Sequence, residues 1–262
     1  MKPDMKKITL TFITVLVCVL CFATPACAGT RLQLKDDEAY SGAGMTWDGK
    51  TLTLNNCSFS GQIRLPKNST VAVSGTNTLT LNEIYDESGV LIGQGALTIT
   101  GGGVLNIVNG VTIHDTCYCI VGKKELTISG VTINASAAST AATDISAGIS
   151  SRKALKITGS SLVCTGSSNA RTSAGIRGGK SIFIQGSNIK ASGDSYGIVT
   201  SNDAMGISYS NVEASGGKAA LKAKSGMQFA GVTGGTPGEK NDRWYVLNGS
   251  GPAASVKLTA AN

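Results

Sequence analysis

The sequence predicts an all-β solenoid, a stack of short strands in place of one globular core, and three observations carry that prediction. One phrase is written four times between Lys124 and Leu221: KELTISGVTINASA, KALKITGSSLVCTG, KSIFIQGSNIKASG and DAMGISYSNVEASG, starting at Lys124, Lys153, Lys180 and Asp203. The step between starts shortens from 29 to 27 to 23 residues, a range in which each repeat is one supersecondary unit that buries its apolar face only by stacking. Apolar residues alternate with period two in short runs bounded by Gly, Asn, Pro or Ser, and nothing sustains a helical period. Glycine is abundant (34 residues) without a collagen period, and aromatics make up only 5%, which suits many short strands and tight turns.

The chain divides in order. Lys2, Lys6 and Lys7 precede an apolar run from Ile8 to Phe22, and Ala26-Cys27-Ala28 offers an A-x-A cleavage site, so residues 1–28 read as an export signal. The run is too short for a comfortable membrane span, and the expected product is an exported mature chain of 234 residues. Without the signal, 20 basic and 15 acidic residues remain, a formal balance of +5. That bias does not form the clustered basic stripe of a nucleic-acid binder. Residues 29–49 read as an irregular N-terminal cap, with Asp36-Asp37-Glu38 and Ser41-Gly42-Ala43-Gly44 as polar loop. Residues 50–232 read as the solenoid and 233–262 as C-terminal capping strands and tail.

From Lys50 the alternating pairs begin: Leu52 and Leu54, Ile63 and Leu65, Val71 and Val73, Leu79 and Leu81, Leu97 and Ile99. Each later repeat holds three strands. In the third line Ile182 and Ile184 are expected inward from the first strand, Ile189 and Ala191 from the second, and Tyr196 and Ile198 from the third. Equivalent positions then form columns: Leu126, Leu155, Ile182 and Met205; Ile128, Ile157, Ile184 and Ile207; and a narrow one of Ala135, Cys164, Ala191 and Ala214. Gly130, Gly159 and Gly186 fall where the chain must bend out of the first strand. Thr132, Ser161, Asn188 and Asn211 share a polar column, a structural ladder of small side chains. Trp47 and Trp244 fall in the two caps and read as capping residues.

The phrases LxIxG, VxAxG and AGI, with the opening MTWDGKTLTLNNCSFSG and STVAVSGTNTL, resemble the pectin-lyase-like superfamily, and most closely its secreted bacterial carbohydrate-binding-domain β-helix repeat proteins. The resemblance covers roughly Thr46 to Ala230. It implies a right-handed parallel β-helix with three strands per rung, seven to eight rungs long and capped at both ends. Enzymes of that superfamily use clustered aspartates, often with calcium, together with an arginine or lysine base or a Gly-His-Gly phrase. This chain departs from them. His114 lacks the flanking glycines, and SAGI and SYGI stand where carbohydrate-binding relatives carry Asp-Gly-Ile, which removes the oxygen ligand calcium would want. Asp194 and Asp203 are the remaining candidate calcium ligands; no other cofactor is implied.

The residues themselves argue against catalysis. Glycoside hydrolysis needs two carboxylates roughly 5 to 10 Å apart. Asp115, Glu125, Asp144, Asp194, Asp203 and Glu213 share no column, and His114 and Asp115, adjacent on a strand, face opposite sides. Of the mature chain's cysteines, Cys164 reads as a small core residue, while simple alternation back from Ile120 puts Tyr118 inward and Cys117 and Cys119 outward beside Ser146 and Gly148. No internal disulfide is expected. Thr80, Thr98, Thr100, Thr127 and Thr158 read as outward strand formers on a face that Lys156, Phe183 and Gln185 interrupt.

The candidate binding residues are basic: Lys124, Lys153 and Lys180 open successive rungs, with Lys123, Arg152 and Arg177 beside them. Like charges about 5 Å apart repel by a little under 1 kcal/mol in water, a cost that an anionic ligand would offset. The expected function is non-catalytic binding of extracellular polysaccharide, with acidic glycans preferred, by a secreted or surface-associated monomer. A structural or adhesive surface protein is the alternative, and a lyase-like enzyme the third reading. No sortase-type signal follows Asn262, so any attachment to the cell is expected to be non-covalent or through a partner.

Overall fold

The computed structural model describes residues 30–83, 85, 89–111, 116–138 and 143–261, and they form a parallel β-helix. One rung shows the design: a first strand Leu126–Ser129, a second Thr132–Ala137 and a third Thr143–Ser151. Each pairs in parallel with its equivalent one repeat later, Leu155–Thr158, Ser161–Thr165 and Ala170–Gly178. In the first stack, eight strands from Thr51–Asn55 to Met227–Ala230 follow one another in register. The alternation that predicts the strands also fills the core, because period two sends every second side chain inward.

The predicted columns hold. Leu126 faces Leu155, Ile182 and Met205, and Ile128 faces Ile157, Ile184 and Ile207, all at most 1% exposed. Ala135, Cys164, Ala191 and Ala214 form the narrow column on the second stack. Each buried Ile or Leu contributes roughly 1.5–3 kcal/mol, and in a solenoid that burial exists only when the next rung is in place. At the first corner Asn211 donates its side-chain amide to Asn188 Oδ1 at 2.8 Å, so the polar column is a structural ladder there.

Residues 29–49, expected to be irregular, instead carry strands. Thr30–Gln33 adds in parallel to the third stack beside Gly61–Arg64, and Tyr40–Gly42 and Met45–Trp47 form a hairpin that continues antiparallel onto Thr51–Asn55. An open stack presents unpaired backbone N–H and C=O groups, and strands cover them better than loop does. Trp47 is 2% exposed and donates its indole N–H to the Lys35 carbonyl at 2.7 Å, confirming its capping place. At the other end Ser255–Ala260 runs antiparallel on Asn211–Gly216, and Arg243–Asn248 runs antiparallel on Ala219–Ala223, with Trp244 packed against the core.

The third strand corrects the sequence reading. Cys117 and Cys119 are not outward; both are 0% exposed, and Tyr118 lies on the opposite face, half-buried. The ladder pairs Cys117 with Ser146, Tyr118 with Ala147, then Ile120 with Ile149, passing over Cys119 and Gly148. At this bend two consecutive residues, Cys119 and Ile120, both turn inward, so alternation counted back from Ile120 comes out one face wrong. The same bend puts Tyr196 outward and half-buried while Ile198 stays in the core. The later rungs carry Gly148, Gly175 and Gly197 here because there is no space: a Cβ at Gly175 would meet the Cys164 carbonyl oxygen at 2.6 Å and the Ser192 nitrogen at 2.6 Å.

Cys57, Cys117, Cys119 and Cys164 are all buried, at most 2% exposed. Burial pushes the Cys57 thiol up to about 11 and raises Cys119 and Cys164 as well, with Cys117 nearby adding to the rise at Cys119. Cys117 and Cys119 point at the carbonyls of Asn109 and Ile107, at 3.7 and 3.6 Å.

Candidate functional site: a cationic face on the third stack

The predicted lysine column exists. The Lys153 amide donates to the Lys124 carbonyl and the Lys180 amide to the Lys153 carbonyl, so the three stack at one turn with exposed side chains. Lys123 and Arg152 form the adjacent column, since Gly122 pairs with Ser151 immediately before them. Arg177 does not belong there. It pairs with Ser150 on one side and Val199 on the other, which places it on the outward face of the third stack.

That face is built from two columns. One runs Tyr118, Ala147, Ala174, Tyr196, Ala219, and the other Val121, Ser150, Arg177, Val199, Lys222. The first column follows from the bend, which turns outward the residue before Cys119, Gly148, Gly175, Gly197 and Ala220, and the second follows by alternation from the inward Ile120, Ile149, Ile176, Ile198 and Leu221. Ala147 and Ala174 are 0% exposed although they lie outside the core cluster, and they make an alanine floor on which Gly166 and Gly193 pack so closely that a Cβ on either would meet the Ala174 backbone at 2.5 and 2.7 Å. Tyr118 and Tyr196 bracket this floor three rungs apart, about 14 Å at the usual strand spacing.

The electrostatics are one-sided. Burial raises the Tyr118 hydroxyl above its ordinary range, and Arg177 and Arg152 both act to lower it, so both guanidinium groups are within electrostatic reach of the phenol. Lys222 Nζ donates to the Tyr196 hydroxyl at 3.0 Å and sits 4.6 Å from the ring centroid. The capping strand adds Arg243. Together Ile145, Thr172, Arg177, Tyr196, Thr200, Lys222 and Arg243 line a cleft of about 270 Å³, and no carboxylate occurs among the described residues that line it. The neighbouring acid, Asp144, is exposed and pairs with Arg171 at 3.8 Å.

The outward face of the second stack differs. A groove of about 400 Å³ runs past Asn188, Asn211, Val163 and Lys190, and unlike the cleft it contains a carboxylate: Glu213 meets Lys257 at 3.2 Å. The first-stack face carries Thr51, Thr70, Thr98 and Thr127 in one column before Lys156 and Phe183 interrupt it. Thr80 is not part of it; it lies on the second stack beside Val108.

The calcium candidates are not brought together. Asp194 precedes the third strand of its rung and Asp203 follows it, where Asp203 Oδ1 accepts from the Ala204 amide and the Ser225 hydroxyl. Among the described residues no three His, Cys, Asp or Glu side chains are placed to hold a metal ion. His114 and Asp115 lie outside the described residues.

Sequence reasoning missed Tyr118, Tyr196, Lys222 and Arg243 as members of one face. The available signal was the glycine of SAGI and SYGI, which marks a bend where alternation changes phase. Arg243 left no such trace, because its place depends on an antiparallel pairing of the tail. Comparison of the chain with models of protein families, with curated proteins and with solved structures finds no match to any of them.

Proposed function

We propose that this protein is an exported, non-catalytic polysaccharide-binding β-helix that takes acidic glycans across the outward face of its third stack. The observation that carries the reading is the grouping of Arg177, Lys222 and Arg243 with Tyr196 around a cleft lined by no described carboxylate. Arginine recognises a carboxylate or sulfate through paired N–H donors, and a tyrosine offers both a flat apolar ring for a sugar and a hydroxyl for its substituents. The exposed lysine column at the adjoining turn extends the positive potential and would steer a polyanion toward the cleft. The proposed contact site thus lies on the strand face beside the turn, with Arg177 as the one predicted basic residue that belongs to it.

Retardation on a native gel containing polygalacturonate tests this. The wild-type protein should be retarded, the effect should fade with salt, and Arg177→Gln with Lys222→Gln should remove most of it, while Lys153→Glu with Lys180→Glu should weaken it less. Unretarded wild type, or an unaffected Arg177/Lys222 double variant, would count against the reading and leave a spacer or adhesive role. Unsaturated product absorbing in the near ultraviolet would overturn the non-catalytic part.

A further inference from the structure

We infer that the cap-side end of this cleft is a pocket for a single compact oxyanion, a carboxylate or sulfate substituent, and that Arg243 of the capping strand determines its specificity. Three observations meet there. Arg243 Nη1 is buried and has no hydrogen-bond partner in the protein, a costly condition for a charged donor. Lys222 pairs with Tyr245 across the antiparallel junction, so Arg243, two residues before Tyr245, is its diagonal neighbour at about 7–8 Å. Arg177 stands two rungs away on the same column as Lys222, about 10 Å along the stack.

Three cations are therefore held by three different strands around one space, with Lys222 already oriented by the Tyr196 hydroxyl. Mutual repulsion disfavours this grouping, and an anion of small radius is what would reverse the sign. The geometry separates the roles. Arg177 and Lys222 belong to the repeat, whereas Arg243 arrives only when the tail folds back, so the C-terminal strand serves as one wall of a binding site as well as an edge cover. The inference rests on the polysaccharide reading only for the polymer to which the oxyanion is attached.

Inorganic sulfate is the direct probe, titrated by calorimetry into the full mature protein at constant ionic strength. The wild type should show saturable binding. Arg243→Gln should weaken it about tenfold or more, as loss of one charged hydrogen-bonding partner implies, and Arg243→Lys should restore part of it. Arg177→Gln, which does not touch the cap, should also weaken it, so a folding defect in the cap cannot mimic the result. Equal sulfate affinity in wild type and Arg243→Gln, or no saturable binding by the wild type, would overturn the pocket. Gels containing polygalacturonate and dextran sulfate then identify the source of the anion. Sulfate binding without retardation on either gel would leave the pocket standing and remove the polysaccharide reading, whereas retardation unaffected by Arg243→Gln would do the reverse.

Discussion

Gly159 and Gly175 both turn the chain, one at the corner between first and second strands and one at the bend within the third, yet they meet opposite demands. Gly159 has φ +57 and nothing within 4 Å of where a Cβ would stand, so the corner needs an unusual backbone and has room to spare. Gly175 needs no left-handed backbone but has no room at all, since its Cβ would sit 2.6 Å from both the Cys164 carbonyl oxygen and the Ser192 nitrogen. The corner is governed by conformation and the bend by packing. Only the bend changes which side chains face outward, and for that reason Tyr118 and Tyr196 join Arg177 and Lys222 on the outward face of the third stack.

The largest effect should follow from filling the bend. Gly175→Val is expected to cost about 3 kcal/mol or more, or to prevent folding, because rigid backbone surrounds the site and little can move. Urea unfolding would measure it, and a loss below about 1 kcal/mol would mean that the bend is far more plastic than its contacts imply. The two regions can next be compared through their thiols, as Cys57 sits at a corner and Cys119 at the bend. Both are held neutral by burial, Cys57 up to about 11 from an ordinary 9.0, so the unfolded chain loses its protons first as the solution becomes alkaline. Stability is therefore full below about pH 9 and falls above it, by up to roughly 1.4 kcal/mol per pH unit for each such thiol. Substituting Cys57 and Cys119 by alanine should flatten that slope in the range 9 to 11, and an unchanged slope would assign the loss to other groups.

How legible these regions were differs for the same reason. The corner was readable because its glycines recur two residues after an inward isoleucine, and its ladders at Asn188 and Asn211 lie where equal spacing puts them. The bend was not readable by counting, since Cys119 and Ile120 break the period of two on which any assignment of faces depends. Lys124, Lys153 and Lys180 could be aligned from the repeat, whereas Arg177 was assigned to the turn only because it is close in sequence. The caps followed neither rule. Residues 29–49 lack alternation, but an exposed sheet edge imposes strand pairing on them, a demand that arises from tertiary structure alone.

Substitutions at the corner should be milder. Gly159→Ala is expected to cost about 1–2 kcal/mol, the strain of an alanine held in the left-handed region, with no clash to add to it. The fourth repeat supplies the reciprocal case. Where earlier repeats place glycine, Tyr209 occupies the corner at φ +47, with its side chain 61% exposed. Its ring lies over Gly231, whose absent Cβ would fall 2.3 Å from the Tyr209 ring edge, so the tyrosine gives up backbone comfort and regains only a little contact. Tyr209→Gly should then stabilise the protein by about 0.5–1 kcal/mol, since relief of the strain exceeds the contact and chain entropy lost. A rise in the urea midpoint without change in slope would show it. A fall would mean that the ring on Gly231 matters more than the backbone, and that the corner, like the bend, is governed by packing.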